Sequence, residues 1–292
     1  MFDILNIVLP TFIVILIGFL LGKIKRFDMS VVVDVLFYIG MPALAFTAMI
    51  SKQIILLDAS KIWASALLIM AGTGVVAVII FRLARLKHSG LYVPIIILNA
   101  VNIPFPVMSM AYGQEGLLGA TLFYIPVTLL SLTVGIMIFS RSNWKDGIRE
   151  TLKVPAIYGA VLGLALNLTH VTLPALVFKP LDLIGTMVIP LTLLVLGFRL
   201  SSVQITSLPT TMLASCIRIG VGLGMGLIAV TVFGLTGVSR SVVILDSAMP
   251  SAANSSILAM KYNNEAELVS SVVFVTTIAS LLIIPLLLYL LA

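Results

Sequence analysis

The chain has 292 residues, of which 61% are hydrophobic and only 10% charged, and its mean hydropathy is +1.23. A soluble domain carries about one quarter charged residues, so these proportions exclude a water-solvated helical core and leave a polytopic membrane protein. A single cysteine, Cys216, rules out an intramolecular disulfide and argues against a metal cluster. The net charge of +6 does not signal nucleic acid, because the basic residues gather in short loops.

Windows of about 20 apolar residues predict ten spans, at 3–22, 30–50, 60–82, 90–112, 117–140, 153–170, 174–198, 209–233, 238–261 and 267–291. Basic residues follow the first span instead of preceding it, so that span is expected to be retained rather than cleaved. Lys23, Lys25 and Arg26 come after span 1, Arg82, Arg85 and Lys87 after span 3, and Arg141, Lys145, Arg149 and Lys153 after span 5. With Arg199 and Lys261, one side holds twelve basic residues against four on the other: Lys52, Lys61, Lys179 and Arg240. The richer side is expected to be cytoplasmic, which puts both termini outside a plasma or inner membrane. Cys216 falls in an apolar span and reads as inert packing.

The two halves resemble each other. Asp34 stands eight residues before Pro42, and Asp182 eight before Pro190, an offset of 148. Tyr112, Glu115 and Leu118 match Tyr262, Glu265 and Leu268 at an offset of 150. Residues 1–140 thus read as one five-span unit, 141–153 as a cytoplasmic linker and 154–292 as the second unit. Five is odd, so the second unit enters from the opposite face, giving an all-α inverted repeat.

Span 4 carries Asn99, Asn102 and Pro104, and span 9 carries Asp246, Pro250, Asn254 and Ser255. Proline removes a donor, and asparagine prefers to bond local backbone. Both spans are therefore expected to break at one depth, inside protein or along a wet cavity. The half-helix N-termini would each present roughly half a positive charge there, fit for an anionic group. Asn99, Asn102, Asn254 and Ser255 are the expected substrate contacts, with self-capping of the broken backbone as the rival role for the asparagines. Pro104 and Pro250 would shape the crossing. Arg218, inside span 8, would neutralise a substrate carboxylate, pair with Asp246, or serve a structural ion pair. Asp246, Glu115 and Glu265 are ion-coupling candidates for a proton or sodium ion; no other cofactor and no metal site is expected. The bland alternatives are an interfacial Asp246 near Arg240, and helix-terminal roles for Glu115, Glu265 and Glu267. Asp34 and Asp182 read as structural, and His88 and His170 as solvated. The alternating Gly220, Gly222, Gly224 and Gly226 read as a packing face.

The "NAVNIPFP" and "AMPSAANSSILAMKY" segments, the ten-span plan and the repeat together resemble the auxin efflux carrier family, in its compact prokaryotic form. The resemblance covers the whole chain and implies a fold similar to bile-acid sodium symporters. It implies that spans 4 and 9 cross at their prolines. It further implies a scaffold of spans 1, 2, 6 and 7, a transport domain of spans 3–5 and 8–10, a homodimer through the scaffold, and an elevator movement. Its substrates would be small carboxylates, malonate-like or auxin-like. Motifs for an intramembrane enzyme, such as H-E-x-x-H, are missing, so no enzyme is expected. The expected function is secondary active transport of a small organic anion; the alternative is a non-transporting receptor or a channel.

Overall fold

The computed structural model describes residues 2–25, 28–140, 145, 149, 152–171 and 173–291. Arg26, Arg141 and most of the linker 141–153 therefore lie outside the described residues. The described chain is all-helical. In order, it forms α1 (Phe2–Ile24), α2 (Ser30–Ile50), α3 (Leu56–Leu83), α4 (Tyr92–Ile96), α5 (Pro104–Ser140) and α6 (Pro155–Leu168). These are followed by α7 (Ala175–Leu200), α8 (Leu208–Phe233), α9 (Gly237–Ser247), α10 (Asn254–Lys261) and α11 (Ala266–Leu291). Six segments are long and apolar enough to cross a bilayer uninterrupted: those in α1, α2, α3, α7, α8 and α11. α5 is divided at Gly113, whose backbone stands at φ 61 and ψ −144, a conformation that only glycine adopts freely. α2 and α8 each contain a π-turn, at Leu36–Gly40 and Ile217–Val221. Asp28 accepts the N–H of Ser30 at 2.9 Å, which opens α2 and draws its carboxyl below the ordinary aspartate range.

The helices pack in two groups. α1, α2, α6 and α7 lie along one another, and α3 to α5 pack with α8 to α11. Without a hydrophobic drive between helices in lipid, close approach depends on small residues. A Cβ on Gly18 of α1 would lie 2.2 Å from the Leu194 carbonyl oxygen of α7, and one on Gly22 would strike Ser201. Both contacts advance together along the chain, so α1 and α7 run parallel. On α6, Gly159 meets Pro42 and Gly163 meets Phe46 of α2, so that pair is parallel too. α2 and α7 run antiparallel, because Gly40 meets Val188 while Gly185 meets Leu44. Val188 stands 148 residues after Gly40, and Leu194 stands 148 after Phe46, the same offset that relates the two Asp-to-Pro motifs.

The glycines of α8 divide into two faces. Gly222 and Gly226 sit against Ser247 of α9, whereas Gly220 and Gly224 meet nothing within 4 Å. Only the first pair forms the expected packing face. Cys216 departs from expectation: it is exposed on the outer surface of α8 rather than packed. Asp34 and Asp182 are both exposed, and neither side chain caps a helix among the described residues. His170 takes a left-handed φ of 55° just past α6, an ordinary helix-ending geometry.

The two glycine faces predict opposite outcomes in detergent-purified protein. Gly222→Ala and Gly226→Ala should destabilise by about 1–3 kcal/mol through overpacking. Gly220→Ala and Gly224→Ala should be neutral or stabilise by up to about 1 kcal/mol through helix propensity. Melting temperatures of the four variants check this.

Candidate functional site: the crossing of two broken helices

Two segments of the described chain leave helical geometry in the interior, 97–103 between α4 and α5 and 248–253 between α9 and α10. They cross as a short antiparallel bridge between Leu98 and Ser251. Asn99 N–H donates to the Pro250 carbonyl at 2.7 Å, and Ala252 N–H donates to the Ile97 carbonyl at 3.0 Å. Pro250 is therefore part of the crossing. Pro104 stands at the edge of the break as the first residue of α5, where a missing N–H costs nothing. α10 begins at Asn254, 150 residues after Pro104.

A helix end in a membrane interior must have its orphan groups satisfied inside the protein. For the C-terminal ends of α4 and α9 this accounting closes. The Pro94 carbonyl accepts the Ser251 hydroxyl at 2.6 Å. Those of Ile95 and Ile96 accept Arg218 Nη1 at 2.9 and 3.3 Å. Ile97 is matched by Ala252, as above. In α9, Ile244 accepts the Ser247 hydroxyl, Leu245 and Asp246 accept the N–H groups of Ala248 and Met249, and Ser247 accepts Arg218 Nη2 at 2.7 Å. One guanidinium thus bonds the negative ends of both half-helices, where a cation is favoured. Arg218 is fully buried and sits in the π-turn of α8. Gly222 makes room for it, since a Cβ there would lie 2.1 Å from Nη2. The expected roles of Arg218 are accordingly corrected. It is not among the residues that line the crossing cavity, and among the described residues it forms no ion pair with Asp246.

The N-terminal ends are left differently. Asn99 Oδ1 accepts the N–H groups of Val101 and Asn102, at 3.3 and 3.0 Å, so this side chain does cap the broken backbone. Its Nδ2, buried, has no partner. Among the described residues, the backbone N–H groups of Ala100, Ala253 and Asn254 also have no acceptor. The Ser255 hydroxyl, 1% exposed, is likewise without a partner. All five residues line one cavity of about 220 Å³, together with Asn102. The opposite wall comes from α2, α5 and α7, including Thr128, Thr192 and Arg199. Arg199 is the one charged residue in this lining among the described residues, and it has no acidic partner there.

The ion-coupling candidates scatter. Glu115 is exposed and bridges to Lys52 at 3.3 Å, away from the crossing. Glu265 pairs with His88 and accepts the Gly90 N–H at 2.8 Å, tying the α3–α4 turn to the α10–α11 turn. His88 is therefore half-buried and paired rather than solvated. Asp246 lies in the last turn of α9 at 1% exposure, buried in the protein with both carboxylate oxygens unpartnered.

Arg199 was read from the sequence only as a loop charge. A signal existed: Thr192, Val195, Leu196 and Arg199 follow the i, i+3, i+4, i+7 spacing of one helix face, and all four line the cavity. Ser251 was also missed, since nothing local marks a serine that bonds another broken helix.

Helices of this length and apolarity, packed around interrupted segments, define a multi-pass membrane transporter. Residues 3–288 match the model of a family described as membrane transport protein. The chain belongs to this family, which is auxin efflux carrier-like. A transporter of Methanocaldococcus jannaschii described as uncharacterized is 26% identical, over 97% of each chain. Another, from Methanothermobacter thermautotrophicus, is 25% identical over 96% of this chain and 95% of its own.

Replacing Arg218 tests the accounting. Arg218→Met should cost about 1–3 kcal/mol for each carbonyl left without a donor, seen as lost folded yield and a lowered melting temperature. Ser251→Ala should cost one such increment.

Proposed function

We propose that the protein is a secondary carrier that takes a small organic anion at the crossing. The observation that carries this is the asymmetry of the broken helices. Their negative C-terminal ends are satisfied by Arg218 and neighbouring donors, while the Asn99 amide, the Ala100 N–H and the positive start of α10 leave donors open to the cavity. Backbone N–H groups at a helix start, with the dipole behind them, favour a carboxylate or similar group. A cavity of about 220 Å³ lies below the ~300–1,000 Å³ usual for drug-sized ligands, which suits a short-chain solute.

Ten spans in an inverted 5+5 repeat account for the parallel α1–α7 and α2–α6 pairs, the antiparallel α2–α7 pair and the recurring 148-residue offset. In this reading α1, α2, α6 and α7 form a scaffold that pairs two copies. The remaining helices carry the crossing across the membrane as an elevator, with the basic loops cytoplasmic and both termini outside. Asp246, buried without a partner beside the crossing, is the residue that would carry a coupling proton.

Binding and flux test this together. Short carboxylates should raise the melting temperature of purified protein by mass action and drive counterflow in proteoliposomes. Asn102→Ala and Asn254→Ala should weaken that binding roughly tenfold or more, the scale of one hydrogen bond to a charged group. Failure of every small anion to bind would overturn the anion site; binding without trans-stimulated exchange would leave a receptor or channel.

A further inference from the structure

A second cavity, of about 390 Å³, adjoins the first. It lies between the end of α7 with its following turn, α10, and the start of α11. Leu196, Arg199 and Ala253 belong to the linings of both cavities. They stand at the boundary between the two. Arg199 supplies the charge at that boundary, from the last turn of α7. Glu267, in the first turn of α11, also lines the second cavity, but the two side chains form no ion pair.

We infer that the second cavity is the route by which solute reaches the crossing from the Arg199 end of the molecule, that the shared boundary is its neck, and that Arg199 acts there as a charge filter favouring anions. A cation without an acidic partner, set between the apolar Leu196 and Ala253, raises the local concentration of negative solutes and opposes positive ones. Glu267 acts against it in the wider vestibule, where water screens it. The inference rests on the anion site proposed above, yet it concerns access, and access can be read without transport.

The probe is a cysteine at Thr192, inside the first cavity, in a Cys216→Ala background. Its modification rate is measured with an anionic reagent, 2-sulfonatoethyl methanethiosulfonate, and a cationic one, 2-trimethylammonioethyl methanethiosulfonate. The anionic-to-cationic rate ratio should fall about tenfold in Arg199→Gln, stay near the starting value in Arg199→Lys, and rise in Glu267→Gln. Ser256→Trp, which narrows the second cavity, should slow both reagents. A ratio indifferent to Arg199 and Glu267 overturns the filter, and labelling indifferent to Ser256→Trp overturns the route. Should Arg199→Gln fail to fold, Glu267→Gln and Ser256→Trp still decide. If carboxylates bind normally while the ratio does not move, only this inference falls. If no carboxylate binds while the ratio moves as expected, the crossing site falls and the route stands.

Discussion

The structure depends on how a membrane interior disposes of helix ends. Each of two broken helices leaves backbone carbonyls and N–H groups without helical partners inside the protein, where an unsatisfied group costs several kcal/mol. The carbonyls are answered within the protein by Arg218, the Ser251 hydroxyl and the crossing backbone. The N–H groups are answered only in part, and what remains faces a cavity. The proposed site for a negative solute follows from this imbalance between consumed carbonyls and open N–H groups.

That solution constrains the surrounding helices. Arg218 reaches both half-helices from within the π-turn, and Gly222 leaves space beside it. Gly226 then lets α8 lie against Ser247, whose carbonyl Arg218 holds. On the other side of the molecule, Gly18, Gly22, Gly159 and Gly163 bring α1 against α7 and α6 against α2. Contacts of this kind are made by backbone rather than by long side chains, so they specify register and direction without needing buried polarity.

Much of this was legible in the sequence, and for physical reasons. Apolar runs located the helices within a few residues, because lipid thickness fixes span length. Asn99, Asn102 and Pro250 marked the breaks, because neither residue type suits a helix interior. The role of Arg218 was not legible: its partners are carbonyls of Ile95, Ile96 and Ser247, and a carbonyl leaves no trace in residue identity. Arg199 looked like a loop charge because it ends a span, and only the packing of α7 turns it toward the cavity. Glu115 and Glu265 matched as a repeated motif, yet they pair with Lys52 and His88 in separate turns. A matching motif does not require matching partners.

The most direct measurement is the position of a bound anion. A short brominated carboxylate, located in the purified protein by anomalous scattering from bromine, reports where the negative group sits. The account predicts one site in the cavity, with the carboxylate on the open N–H groups of Ala253 and Asn254 and on the Asn99 amide. A bound carboxylate beside Arg218, at the C-terminal ends of α4 and α9, with the crossing cavity unaltered, would contradict it.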